Sequence, residues 1–375
     1  MQTLLCKADQ TQLYQQLLMT LSEIAKYRLI SQQIAEPKFE SANEMVAWLA
    51  AVQAQEYAHT KWSLGLRLPH LKDDDIEKEF SDGRILRTHL LRPTWHFVTA
   101  EDIRWMLTLT APRVNAVNSF MYRKCNLDNA TFKRCNNILI KTLQGGKQLT
   151  RGALNEEFKK NKIIADGHRL SYIMMRAELD GIICSGSRKG NQFTYALLDE
   201  RVPLSNSKDQ DEALATLTNR YFASRGPATV QDFSTWSGLT LTDCKRGITI
   251  VKSHFIQEQI DNEDYYFSAH ISLNEMQFQY ICLLPLYDEF IMGYKDRKAI
   301  FQLRNSIKPA PIFRFDNTII LEGQICGTWK RTINKKSIDL EYDFFKPLTQ
   351  RHFKAFEKAV DRLGQFTNLT VNYLK

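Results

Sequence analysis

An α+β fold built from repeated small units is what this sequence predicts. Two patterns carry the prediction. Helical periodicity gives way to a pair of strands three times in the first 270 residues, and from about Ile281 onward strands dominate. A length of 375 residues, with 43% hydrophobic and 25% charged residues, is ample for two or three ordinary domains and is unlike either a disordered or a membrane chain.

After an N-terminal stretch with helical periodicity, Ser41 to Ala51 places Met45, Trp48, Leu49 and Val52 at three- and four-residue spacing. Ser41 is the N-cap and Glu44, three residues on, completes a capping box. Helices follow over Tyr57–Leu68 and Asp73–Phe80, and Ile85–Val98 reads as two strands turned at Arg92-Pro93. Three helices and then a strand pair is winged-helix order. A second round begins with a helix from Ala100 and a long basic segment containing Arg113, Arg123, Lys124, Lys133 and Arg134, and then turns at Gly145-Gly146. Its helices run from Leu149-Thr150 to Lys160 and from Ser171 to Leu179, and its hairpin spans Ile182–Leu198. The polar stretch Asp199–Asp211 reads as a linker. A third round then has helices over Glu212–Ser224, Thr229–Trp236 and Thr242–Ser253, with strands over Phe255–Ser268 turning at Asn262.

The remaining segments, ICLLPLYDEFIMGY, APIFRFDNTIILEGQICGTWKRT and SIDLEYDFF, read as strands. Gln350–Leu363 closes the chain as an amphipathic helix with Phe353, Phe356, Val360 and Leu363 on one face. The expected fold is therefore α+β, with three tandem winged-helix units and a C-terminal β-rich, barrel-like domain, divided at 1–100, 101–200, 212–270 and 280–375.

Lys and Arg total 50 against 42 Asp and Glu, a net charge of +8 that suits a polyanionic partner. The seven cysteines, at 6, 125, 135, 184, 244, 282 and 326, form no CxxC pair, so neither a zinc site nor a disulfide framework is indicated and no metal or cofactor is expected. The N-terminus lacks the apolar core and cleavage signal of a secretory peptide, and no run approaches the roughly 18 apolar residues of a membrane span. A cytoplasmic, nucleoid-associated protein is expected. Gly145-Gly146-Lys147 lacks the rest of a P-loop, and neither HExxH nor GxSxG occurs.

Gln53 and Gln55 stand two residues apart in VQAQEY (52–57). On a helix they would point about 200° apart, so both can serve one site only where the chain is extended or turning between two helices. Asp288-Glu289, beside Tyr287, invites a reading as paired acids. Adjacent strand positions point to opposite faces, so a structural role linking the β-rich domain to the units before it is preferred.

VQAQEY, together with RTHLLRPTWHFV (87–98) followed by Ala100-Glu101-Asp102, LLPLYDEFIMGYKDR (283–297) and LEGQICGTWKRT (321–332), resembles the AlkZ/YcaQ-like winged-helix DNA glycosylases over nearly the whole chain. Members of the YcaQ kind have aspartate at the second motif position, so Gln55 places this sequence nearer the AlkZ pattern. The resemblance implies a monofunctional glycosylase acting on alkylated purines at N3 or N7, including interstrand crosslinks. Gln53 and Gln55 would be catalytic, holding a water and stabilising the sugar cation through amide oxygens, and both are taken as surface residues whose truncation costs little stability.

Double-stranded DNA is the expected partner and a monomer the expected state. Arg87, His89, Arg92, Arg188, Lys189, Lys295, Arg297, Lys330 and Arg331 are the candidate DNA contacts, since they fall on hairpins, turns and the segments that carry the resemblance. His96 lies in the same strand pair but is assigned no chemistry. The rival reading is a non-catalytic winged-helix regulator, which would have the same charge and helix order but no use for two glutamines remote from a recognition helix.

Overall fold

A computed structural model describes residues 19–204, 208–269, 280–301 and 317–374. The first helix, α1 (Leu21–Ser31), starts at a capping box in which Thr20 and Glu23 satisfy each other's backbone amides. The chain then runs α2 (Ala42–Leu49), β1 (Val52–Gln53), α3 (Tyr57–Arg67), α4 (Asp73–Ser81), β2 (Ile85–His89) and β3 (Trp95–Thr99). Ser41 and Glu44 form the capping box of α2 as expected. β1, β3 and β2 form one antiparallel sheet in that order, with Gln53 opposite His96 and Val52 opposite Phe97.

The same order returns after the long α5 (Ile103–Lys124). It comprises α6 (Asn129–Leu143), β4 (Leu149–Thr150), α7 (Arg151–Lys160), α8 (His168–Leu179), β5 (Ile183–Ser185) and β6 (Thr194–Leu197), with the sheet order β4-β6-β5. Helix α8 begins three residues before the Ser171 start read from sequence. The stretch read as a linker opens with a short helix, α9 (Leu198–Arg201). A third round comprises α10 (Gln210–Arg225), α11 (Val230–Ser237), α12 (Leu241–Val251), β7 (Ile256–Ile260) and β8 (Glu263–Phe267), and Ala228 supplies a single bridge to Tyr266 where the other rounds have their first strand. Two-residue strands are too short to show an alternation, which is why no sequence pattern marks β1 or β4.

The C-terminal part forms a five-stranded sheet ordered β13-β12-β11-β10-β9, from β9 (Ile281–Leu284), β10 (Asn317–Leu321), β11 (Gln324–Ile333), β12 (Ser337–Phe344) and β13 (Thr370–Leu374). The barrel-like expectation is corrected here, because the sheet is open. Among the described residues its end strands β9 and β13 do not pair, and the core is closed instead by α14 (Gln350–Thr367), which buries Phe356, Val360, Leu363 and Phe366. The strand expected over residues 310–315 lies outside the described residues.

This sheet and the first round share one core, from Ile24 and Leu49 through Trp62 and Phe97 to Leu283, Ile319 and Phe356. Trp62 donates its indole N–H to the Leu283 carbonyl at 2.8 Å and meets Phe366 at 5.3 Å between ring centres. Gly65 makes that approach feasible, since a Cβ there would lie 2.3 Å from the Phe366 ring.

Candidate functional site

Gln53 ends β1 and Gln55 lies in the bend before α3, so the segment is extended or turning between two helices, as the i, i+2 spacing requires. The approach to it is strained. Ala50 has φ +60° and ψ −49°, and the Ala51 N–H bonds the Leu49 carbonyl at 2.7 Å, a tight three-residue turn that is costly for a residue with a Cβ. Arg225 holds that turn from α10, donating to Leu49 O at 2.9 Å and Ala51 O at 3.1 Å.

Arg225 is itself held by Glu289, at 2.6 Å between Nη2 and Oε2, with both side chains fully buried. Trp236 Nε1–H donates to the same carboxylate oxygen at 2.9 Å. The other oxygen, Oε1, accepts the backbone N–H of Gln53 at 2.8 Å. One carboxylate on the short α13 (Glu289–Met292) thus ties the glutamine segment to the third round. Its neighbour Asp288 caps α13 and pairs with Arg67, also accepting from Ser63 Oγ at 2.6 Å. Burial alone would raise the Asp288 pKa, but the Arg67 guanidinium and these hydrogen bonds outweigh it and hold the carboxyl below its ordinary range. The two acids therefore have the linking role read from sequence, although they begin a helix rather than lie in a strand.

The Gln53 side chain is almost wholly buried, which corrects its expected surface position. Arg92 Nη2 donates to Gln53 Oε1 at 2.9 Å, and Arg92 Nη1 donates to the carbonyls of Trp236 and Thr235 at the end of α11. Because guanidinium has only donors, the atom facing it must be the amide oxygen, and no second donor to that oxygen is seen among the described residues. His96, opposite Gln53 in the ladder, is also buried. Its Nδ1 meets the Thr94 carbonyl at 3.0 Å, which requires the proton on Nδ1 and leaves Nε2 as a lone-pair acceptor without a partner among the described residues. Burial, and then the Arg92 charge, push the His96 pKa well below its usual value, so the ring is neutral near pH 7. Gln55 is half-buried, and no hydrogen bond to its side chain is seen among the described residues.

Two expected DNA contacts are internal. Arg87 is buried between Trp95 and Phe193 and donates Nε–H to Ala54 O at 2.9 Å, while His89 is buried with Nδ1 against the Glu178 carboxylate. Both are corrected from surface contacts to packing groups, since neither can leave its partners without exposing a buried charge or dipole. Arg188 is half-buried over the rings of Tyr57 and Phe193, and Arg331 lies over Trp329 with Nη2 toward Ala58 O at 3.4 Å. These two arginines flank the start of α3 just after Gln55, where Glu56 offers no side-chain cap to the first amides. Lys189, Lys295 and Lys330 are exposed, and Arg297 is half-buried, donating to Ile291 O at 2.9 Å. Glu289, Arg225 and Trp236 were missed as site residues, because their partners lie scores of positions away in the chain.

A polar segment clamped at the junction of repeated helix-and-hairpin units, beside arginines and an uncapped helix start, defines an α+β protein with a built site of neutral amides. A model of the AlkZ-like DNA glycosylase family matches residues 46–366, and the chain belongs to that family. It is 25% identical over 224 residues to an interstrand DNA cross-link repair glycosylase of Streptomyces sahachiroi, covering 57% of this chain and 59% of that relative's length. The solved structure of Streptomyces sahachiroi DNA glycosylase AlkZ superposes with a TM-score of 0.76 at 18% identity, covering 96% of this chain and all of that one, a likeness of fold. Among the described residues no helix is long and apolar enough to cross a membrane, and no three His, Cys, Asp or Glu side chains cluster as metal ligands.

Proposed function

We propose that the protein is a monofunctional DNA glycosylase that removes N3- and N7-alkylpurines, including those in interstrand crosslinks, with Gln53 and Gln55 positioning the attacking water. The observation that carries this reading is the double hold on Gln53, by Glu289 at its backbone N–H and by Arg92 at its side-chain oxygen. A preorganised acceptor of this kind suits a reaction whose leaving group needs little help. An N7-alkylguanine is already cationic. When the C1′–N9 bond breaks, the bonding electrons neutralise the purine, and the sugar becomes an oxocarbenium-like cation that water attacks at C1′, losing its proton to solvent. The second lone pair on Gln53 Oε1 and the Gln55 amide are the groups that hold this water.

The three rounds of three helices and a hairpin are read as winged-helix units with which the protein binds double-stranded DNA as a monomer. The start of α3, with Arg188 and Arg331 beside it, is suited to a phosphate next to the lesion. Lys189, Lys295, Arg297 and Lys330 are retained as outer contacts. The test is single-turnover incubation with a duplex carrying one N7-alkylguanine. Abasic sites that break only on added alkali, with no adduct trapped by borohydride, are expected. DNA binding without excision would favour a non-catalytic regulator instead.

A further inference from the structure

The net charge of +8 is not spread over the chain. Between Ile103 and Asn155 stand nine Lys and Arg and a single acid, Asp128, an excess of eight that equals that of the whole protein. Everything else balances to zero. This run covers α5 and α6, which pack on each other through Tyr122 and Phe132 at 5.0 Å between ring centres, and neither helix contains a carboxylate. Arg113, Arg123, Lys124, Lys133 and Lys141 are exposed there, and no carboxylate among the described residues lies within ion-pair distance of any of them. Acids border the two helices, Asp128 at the start of α6 and Asp180 accepting from Asn136 at 3.0 Å, but the unpaired like charges on the helices themselves raise the potential over them, where solvated proteins ordinarily intersperse the two signs.

The same face exposes apolar groups that a purely solvated helix would not need. Val117 is 53% exposed and Phe120 64%, and with Arg113 and Lys124 they form one stripe, since spacings of four, three and four keep residues on one side of a helix. Tyr122, on the opposite side, is buried. We propose that the α5–α6 face is a second contact with duplex DNA, its five free cations on phosphates and Phe120 set as an apolar wedge against the minor groove. The proposal rests on the DNA reading given above but not on the catalytic one. A lipid surface is the weaker fit, because α5 is fixed by its buried side and offers two large apolar side chains where an interfacial helix buries a whole face.

The test is binding of the full-length protein to an undamaged duplex across a salt series. The Arg113→Ala, Arg123→Ala and Lys133→Ala variants are each expected to reduce the slope of log K against log salt by about 0.9, one phosphate each. Phe120→Ala is expected to weaken binding by roughly fivefold or more with the slope unchanged. Unchanged slopes in all three charge variants overturn the proposal, as does loss of binding to anionic vesicles by the same variants while DNA binding is intact. A protein that binds with the expected slopes and excises nothing refutes the glycosylase reading and leaves this surface standing. One that excises while the variants bind like wild type refutes the surface alone.

Discussion

Glu289 Oε1 accepts the backbone N–H of Gln53 at 2.8 Å, although 236 residues separate the two in the chain. The other oxygen of that carboxylate holds Arg225 and Trp236. A fully buried charge pair thus fixes the position of a neutral catalytic candidate.

Replacing Glu289 with Gln leaves the Arg225 guanidinium buried without its counter-charge. A loss of about 3 kcal/mol is expected, the cost typical of breaking one side of a buried pair. Urea unfolding of the variant checks it, and a midpoint like that of wild type would remove Glu289 from the scaffold of the site.

Arg92 offers a sharper division of roles. If it positions Gln53, Arg92→Ala lowers the single-turnover excision rate at saturating enzyme on the order of tenfold to a hundredfold, because small displacements of a catalytic group are costly. Arg92→Lys, which cannot hold two carbonyls and the amide together, recovers little of this. Were Arg92 only a phosphate contact, affinity and its salt slope would change while the saturated rate stayed the same.

For the glutamines themselves, Gln53→Ala and Gln55→Ala are each expected to reduce excision by about 10²- to 10³-fold with DNA affinity preserved. Their stabilities should differ. Gln53→Ala strips Arg92 of a partner inside the fold and costs about 1–3 kcal/mol, whereas Gln55→Ala, half-buried, costs almost nothing. Equal excision by wild type and both variants would sink the assignment. Gln55→Glu keeps an acceptor oxygen and adds a charge, so its rate relative to Gln55→Ala reports whether the sugar cation is felt at that position.

Two histidines with lowered pKa values, the half-buried His59 and the buried His96, set an acid-side stability limit. Burial, followed by the Arg331 charge, lowers His59 to about 4, and His96 is pushed down in the same way. Both are neutral in the fold and take up protons on unfolding at their ordinary value near 6.5. Their contribution is therefore complete above about 6.5 and is lost as pH falls toward 4. Thermal melting across this window should show a declining Tm, and His59→Gln should flatten the decline.

The chemistry assigned to the glutamines needs only a positioned water, so excision should survive EDTA. A rate abolished by EDTA and restored by added zinc would overturn that assignment.

What the sequence by itself determined was local. Ser41 and Glu44 announce the start of α2, the period of Phe356, Val360 and Leu363 marks the buried side of α14, and the spacing of Gln53 and Gln55 requires a non-helical step, because caps and periodicities depend on neighbours within a few residues. Tertiary structure decided the rest. The place of Arg87 and His89 in a hairpin suggested surface contacts, yet Phe193 and Glu178, brought from the second round, bury them. Alternating strands near the C-terminus suggested closure, yet whether the end strands meet depends on twist and on α14, which no local pattern encodes. The support of Gln53 by Glu289, Arg92 and Arg225 was equally hidden, since an ion pair buried between distant segments leaves no period or spacing in the chain and arises only when folding removes both charges from water.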